Sequence, residues 1–163
     1  MKRFLSSFAI VVPSYEEGID YYVGTLGFTL VEDTRLSPTK RWVRVSPSEH
    51  AETSILLAKA ADETQRLAIG NQAGGRVFLF LHTDDFERDY RSYLAKGVEF
   101  LEDPRDEPYG RVVVFADRFT LRGRSPSDEV VEVYLERGGL DRAVWRALHD
   151  NWCAEVGLQV PTA

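Results

Sequence analysis

The chain has 163 residues, with hydrophobic residues at 44%, charged residues at 28% and a formal net charge of −6. That length suits one domain, or two small modules around a shared core. The composition is that of a globular protein, with no apolar run near the roughly 20 residues a membrane-spanning helix needs, and the acidic balance opposes nucleic acid, whose partners carry a concentrated basic face.

The opening MKRFLSSFAIVV leads straight into a helix-capping signal with no small-residue cleavage site, so it is read as structure and the protein is expected in the cytoplasm. Phe8, Ile10 and Val12 alternate with Ser7, Ala9 and Val11, the pattern of a strand covered on both faces. Ser14 and Glu17 form a capping box, Ile19, Tyr22, Val23 and Leu26 mark one helical face, and Gly27 supplies the stop. RWVRVSP and ETSILLAKA read as strands. In the first, Trp42 and Arg44 oppose Val43 and Val45.

A linker, ADETQRLAIGNQAGG, starts as a helix and ends in glycines. RVFLFLHT is then a strand, Asp84 or Asp85 caps a helix carrying Phe86, Tyr90, Tyr93 and Leu94, and Gly97 ends it before VEFLED. The second unit repeats the first at an offset of 71: Ser7 matches Phe78, Tyr15 matches Phe86, Ile19 matches Tyr90 and Val23 matches Leu94. Beyond the helix the offset falls to 70, pairing GFTLVED with GVEFLED, so the second helix end lacks one residue. Shared order, spacing and punctuation indicate an internal duplication.

In the tail LDRAVWRALHDNWCAEV, residues Leu140, Val144, Leu148, Trp152 and Val156 form the stripe of an amphipathic helix. The lone Cys153 has no disulfide partner and reads as a small apolar residue. Arg118, Arg122 and Arg124 cluster in RFTLRGR, either as a solvated hairpin or as a basic lip toward an acidic group.

SYEEGIDYYVGTLGF, KRWVRVSP, GNQAGGRVFLFLHTDDF, GVEF and PYGRVVVFAD, in this order over about residues 5 to 117, resemble the vicinal oxygen chelate superfamily, which includes glyoxalase I, ring-cleaving dioxygenases and the bleomycin and fosfomycin resistance proteins. The resemblance implies an α+β fold of two tandem βαβββ modules with curved mixed sheets around a shared cavity. Module one would cover about 5–60, the linker 61–75, module two 76–137 and a helical tail 140–157. It also implies a homodimer.

Metal-using members often carry histidine six residues before a VVP-like turn. Here that position holds Ser7, a weak ligand, and its module-two match is Phe78, which ligates nothing. SPSDEVVEV resembles the family's closing hairpin, with Glu132 at the metal-binding carboxylate, but RFTLRGRSPSDE intervenes after Asp117. Either the hairpin is lengthened or it turns at DRFT. No metal and no cofactor are expected.

Alternation nominates Trp42, Arg44, Phe78, Phe80 and His82 as ligand-facing, joined by Ser7, Glu132 and Tyr134. For Phe78 and Phe80 a filled core is an equal alternative. His82 could act as a base or ligand with Glu132, or serve only beside a helix start. The expected function is metal-independent binding of an apolar or cationic small molecule. The alternative is a lyase, isomerase or dioxygenase with an atypical metal site built on His82 and Glu132, and a purely structural role is a third.

Overall fold

The computed structural model describes residues 3–74, 76–108 and 110–119, and the backbone of 130–135. The tail helix, Cys153, Arg122 and Arg124 lie outside the described residues. In chain order the elements are β1 (Ser7–Val12), α1 (Tyr15–Ile19) continued by a π-helical turn (Asp20–Thr25), β2 (Thr29–Arg35), β3 (Arg41–Ser46) and β4 (Ser54–Lys59). After α2 (Glu63–Ala68) come β5 (Val77–Leu81), α3 (Phe86–Ala95), β6 (Glu99–Phe100), β7 (Arg105–Glu107), β8 (Gly110–Ala116) and β9 (Val130–Leu135).

The two sheets have the same topology, β1-β4-β3-β2 and β5-β9-β8-β6, with β7 also pairing β8. In each sheet the module's first strand runs parallel to its last, and the other pairs are antiparallel. This is the α+β duplication that the repeat predicts. The strand expected over VEFLED is reduced to Glu99–Phe100. Leu101 still donates to Val114 O at 2.9 Å, and pairing with β8 resumes at Arg105 opposite Val112, so the stretch between Phe100 and Arg105 bulges away from the ladder. β8 ends at Ala116, opposite Val130, so the hairpin is the lengthened one and its connection covers 117–129.

Ser14 caps α1: the Glu17 N–H donates to Ser14 Oγ at 3.2 Å, and the Glu17 carboxylate of the expected capping box accepts from the Ser14 hydroxyl at 2.8 Å rather than from the Ser14 N–H. Asp85, not Asp84, caps α3 by accepting from the Arg88 N–H at 3.1 Å. Gly27 and Gly97 end the two helices at φ of 76° and 77°, a left-handed turn that glycine enters without a Cβ penalty. The change of offset from 71 to 70 has a structural form. Module one absorbs its extra residue as the π turn, where the Leu26 N–H reaches back five residues to Tyr21 O at 2.9 Å, while α3 has no such turn. The turn rotates the helix, so Tyr21 is buried together with Tyr22 and Leu26, an outcome the 3.6-residue period does not predict.

One core joins the modules. Ile10, Val12, Val43, Val45, Ile55 and Leu57 of the first sheet cluster with Tyr21, Tyr22 and Leu26, and with Tyr93 and Phe115 of module two. Tyr22 and Tyr93 are equivalent at the offset of 71, and each crosses to the other module. Tyr22 Oη donates to Asp117 Oδ2 at 3.4 Å, and Tyr93 Oη donates to Leu26 O at 3.2 Å. Lys96 Nζ donates to Thr25 O at 2.8 Å, and Arg118 pairs with Asp20. Arg118 therefore secures the start of the long connection against the first helix. Gly18 lets α1 approach the sheet, since a Cβ there would sit 3.0 Å from Leu57 Cδ1 and 3.4 Å from Val12 Cγ1.

Candidate functional site

Trp42, Arg44 and Phe80 lie on sheet faces turned away from this core. Val43 and Val45 are fully buried, so strand alternation turns Trp42, 37% exposed, and Arg44 to the opposite face. Register sets Ala9 beside Leu56, Leu56 beside Arg44 and Arg44 beside Glu32, a cross-strand row over four strands. Within that row Arg44 Nε donates to Glu32 Oε2 at 3.1 Å, and its Nη1 donates to Ser54 Oγ at 3.4 Å. These bonds answer the cost of holding a guanidinium on a half-covered sheet.

A group of hydroxyls borders the row. Ser54, beside Ser7 in register, donates from Oγ to Ser6 O at 3.2 Å. Ser46 is 2% exposed, and its Oγ has no hydrogen-bond partner. Gln72, from the linker, clamps the outer edge of β1: its Oε1 accepts from the Val11 N–H at 2.6 Å and its Nε2 donates to Val11 O at 2.9 Å.

In module two, Phe80 is 55% exposed, and register sets it beside position 132, which is itself beside Val114. Glu132 and Tyr134 are thus located by backbone register alone. His82 is exposed just beyond the end of β5. Continuing the pairing of Leu81 with Val133 brings position 134, not 132, across from His82. Phe78 lies at an irregularity between Val77 and Leu79, packs against the core and meets Phe8 edge-on at a ring separation of 6.1 Å. That contact brings β1 and β5, the outer strands of the two sheets, together.

Of the positions at which the resemblance implies metal ligands, Ser7 supplies only a hydroxyl and Phe78, packed on Phe8, supplies no donor, while the Glu132 side chain lies outside the described residues; among the described residues no three His, Cys, Asp or Glu side chains gather around a common point. Groups with displaced pKa values lie at the module junction. Burial, reinforced by the Asp89 charge, pushes the Tyr93 phenol up to about 12. Burial and the Asp117 charge push Tyr21 up as well.

Sequence reasoning missed Glu32, Ser46, Ser54 and Leu56 as members of this face. Alternation along ETSILLAKA was sufficient to find Ser54 and Leu56, which lie opposite to buried Ile55 and Leu57. Glu32 was hidden by a bulge between Leu30 and Glu32, which breaks the period of two.

The sequence model of the Glyoxalase/Bleomycin resistance protein/Dioxygenase superfamily matches residues 5–122. An uncharacterised protein of Shewanella frigidimarina (strain NCIMB 400) is 49% identical over 120 residues, covering 73% of this chain and 89% of its own. Among solved structures, TnmS3, an antibiotic-binding protein from Streptomyces sp. CB03234, aligns with a TM-score of 0.62 and 27% identity, covering 83% of this chain and 97% of TnmS3. A member of the same superfamily from Sphaerobacter thermophilus DSM 20745 aligns with a TM-score of 0.61 and 28% identity, covering 83% of this chain and 98% of that protein.

Proposed function

The chain belongs to the glyoxalase/bleomycin resistance protein/dioxygenase superfamily, and from that premise we propose that it is a metal-independent small-molecule-binding protein of the cytoplasm that sequesters an apolar or cationic compound on the sheet faces turned away from its core. The carrying observation is the exchange of metal donors for other chemistry: Ser7 and Phe78 stand at the two first-strand positions, while Trp42 and Phe80 remain exposed on the faces beside them. Exposed aromatics on a preformed surface favour a flat apolar ligand, and covering them recovers about 25 cal/mol for each Å² removed from water. The antibiotic-binding relative supports the same reading.

Ser7, Trp42, Arg44, Phe80 and the positions of Glu132 and Tyr134 form the ligand set in this reading, with Phe78 as the packed floor between the sheets. His82 is a bordering residue with no assigned catalytic role. The working unit is a homodimer, tested by light scattering against the 18.5 kDa chain mass. A mass near one chain at all concentrations overturns that part.

A thermal-shift screen of aromatic compounds tests the binding function. A compound at a hundred times its dissociation constant stabilises the fold by about 2.7 kcal/mol. Trp42→Ala should reduce that shift. A screen in which no compound shifts the melting transition contradicts the proposal. Turnover that requires a divalent ion and is lost in Glu132→Ala establishes the enzymatic alternative.

A further inference from the structure

The sequence leaves apolar and cationic ligands open; the row containing Arg44 chooses between them. Arg44 uses Nε on Glu32 and one Nη1 hydrogen on Ser54, and its Nη2 makes no bond among the described residues. A guanidinium carries five N–H donors in a rigid plane, so this side chain is oriented by its two partners and still has donors to offer. Leu56 and Ala9 continue the row on the far side of Arg44 from Glu32. Trp42 lies two residues along the same strand on the same face, roughly 7 Å away at the rise of a β-strand, about the span of two fused rings.

We infer that Arg44 is the specificity-determining donor of the site, and that the ligand class is a neutral fused aromatic bearing a carbonyl oxygen, its rings against Trp42 and Leu56 and its oxygen accepting from Arg44. This rests on the binding function proposed above and narrows it. Charge decides against the alternatives. A cation seated on the row meets the like charge of Arg44. An anion meets the Glu32 carboxylate that already pairs with Arg44 at 3.1 Å, and must compete with it. A neutral acceptor takes the remaining N–H groups without disturbing that pair, and an acceptor-free hydrocarbon leaves them unsatisfied when it excludes water. Polar discrimination of this kind is sharper than discrimination by apolar shape.

Calorimetric titration with four matched two-ring probes tests the inference: coumarin as neutral acceptor, naphthalene as hydrocarbon, N-methylquinolinium as cation and 2-naphthoate as anion. Coumarin should bind tightest, about tenfold better than naphthalene. In the Glu32→Gln/Arg44→Leu double variant, which leaves no unpaired charge behind, that advantage should vanish, because coumarin loses its donor and naphthalene no longer covers unsatisfied N–H groups. The ranking of the probes on the unaltered protein stands as a test even if the double variant does not fold. Equal binding of coumarin and naphthalene, or tightest binding of either ion, overturns the assignment of Arg44 and leaves the apolar site intact. Failure of all four probes while other compounds shift the melting transition also overturns it alone. Failure here and in the wider screen overturns both readings.

Discussion

At the start of their first strands, module one carries Ser7 and module two carries Phe78, on backbones with the same strand order and the same parallel closure by the last strand. The surroundings diverge accordingly. Ser7 lies beside Ser54 and near the Arg44–Glu32 pair, whereas Phe78 is packed edge-on to Phe8 and leaves Phe80 as the exposed aromatic of its strand. The helices diverge too: α1 lies close to its sheet through Gly18, where α3 carries Asp89 at the equivalent place, bonded to Thr83 and Arg88. A duplicated scaffold keeps its topology through backbone pairing while each copy of a given position is free to carry a polar or a packed side chain.

The junction tyrosines give the largest test of that equivalence. Tyr22 is 2% exposed and packs on Tyr21 and Phe28 at ring separations of 5.2 and 5.8 Å, so Tyr22→Ala should cost about 3–5 kcal/mol in denaturant unfolding. Tyr93→Ala should cost nearly as much if the two modules hold each other reciprocally, and far less if only module one forms the core. Gly18→Val should cost about 1–3 kcal/mol, because its side chain would press on Leu57 and Val12, both buried in the core.

A pH titration sharpens the comparison further. The Tyr93 phenol, held up to about 12 by burial and then by Asp89, keeps its proton in the folded state at pH values where the unfolded chain, with an ordinary value near 10, releases it. Stability is therefore unaffected by this group below pH 10 and falls between 10 and 12, by up to about 1.4 kcal/mol per pH unit. Tyr93→Phe should reduce the alkaline slope, leaving the part due to Tyr21, which burial and Asp117 also push up, at the cost of one hydrogen bond, about 1 kcal/mol. An unchanged slope in the variant would assign the whole alkaline loss to Tyr21 or elsewhere. The smallest effect is expected from Gly24→Ala, which gives the π turn the residue that module two has as Ala95. Its Cβ would meet only Asp20 Oδ1 at 3.4 Å, and stability should rise by about 0.5–1 kcal/mol.

Much of this organisation was legible because it is periodic or punctuated. The Ser14 cap, the two helix-ending glycines, the duplication and the outward Trp42 and Arg44 follow from local rules. The single-residue change in offset was visible as a number, but its form as a π turn was not, since that depends on how Tyr21 packs against Phe119 and Tyr22. Bulges were the second blind spot. One conceals Glu32 as the partner of Arg44, and another lies beside Phe78, so strict alternation misjudges the surroundings of both. A third irregularity, between Phe100 and Arg105, divides the strand over VEFLED from β7.

The central claim is that this duplicated fold binds its ligand without a metal, and metal stoichiometry tests it most directly. Protein purified without chelator, incubated with zinc, manganese, nickel and iron(II) and then desalted, should contain far less than one ion per chain by plasma mass spectrometry, because Ser7 and Phe78 supply no imidazole. One firmly held ion per chain, released by Glu132→Ala, would contradict the account.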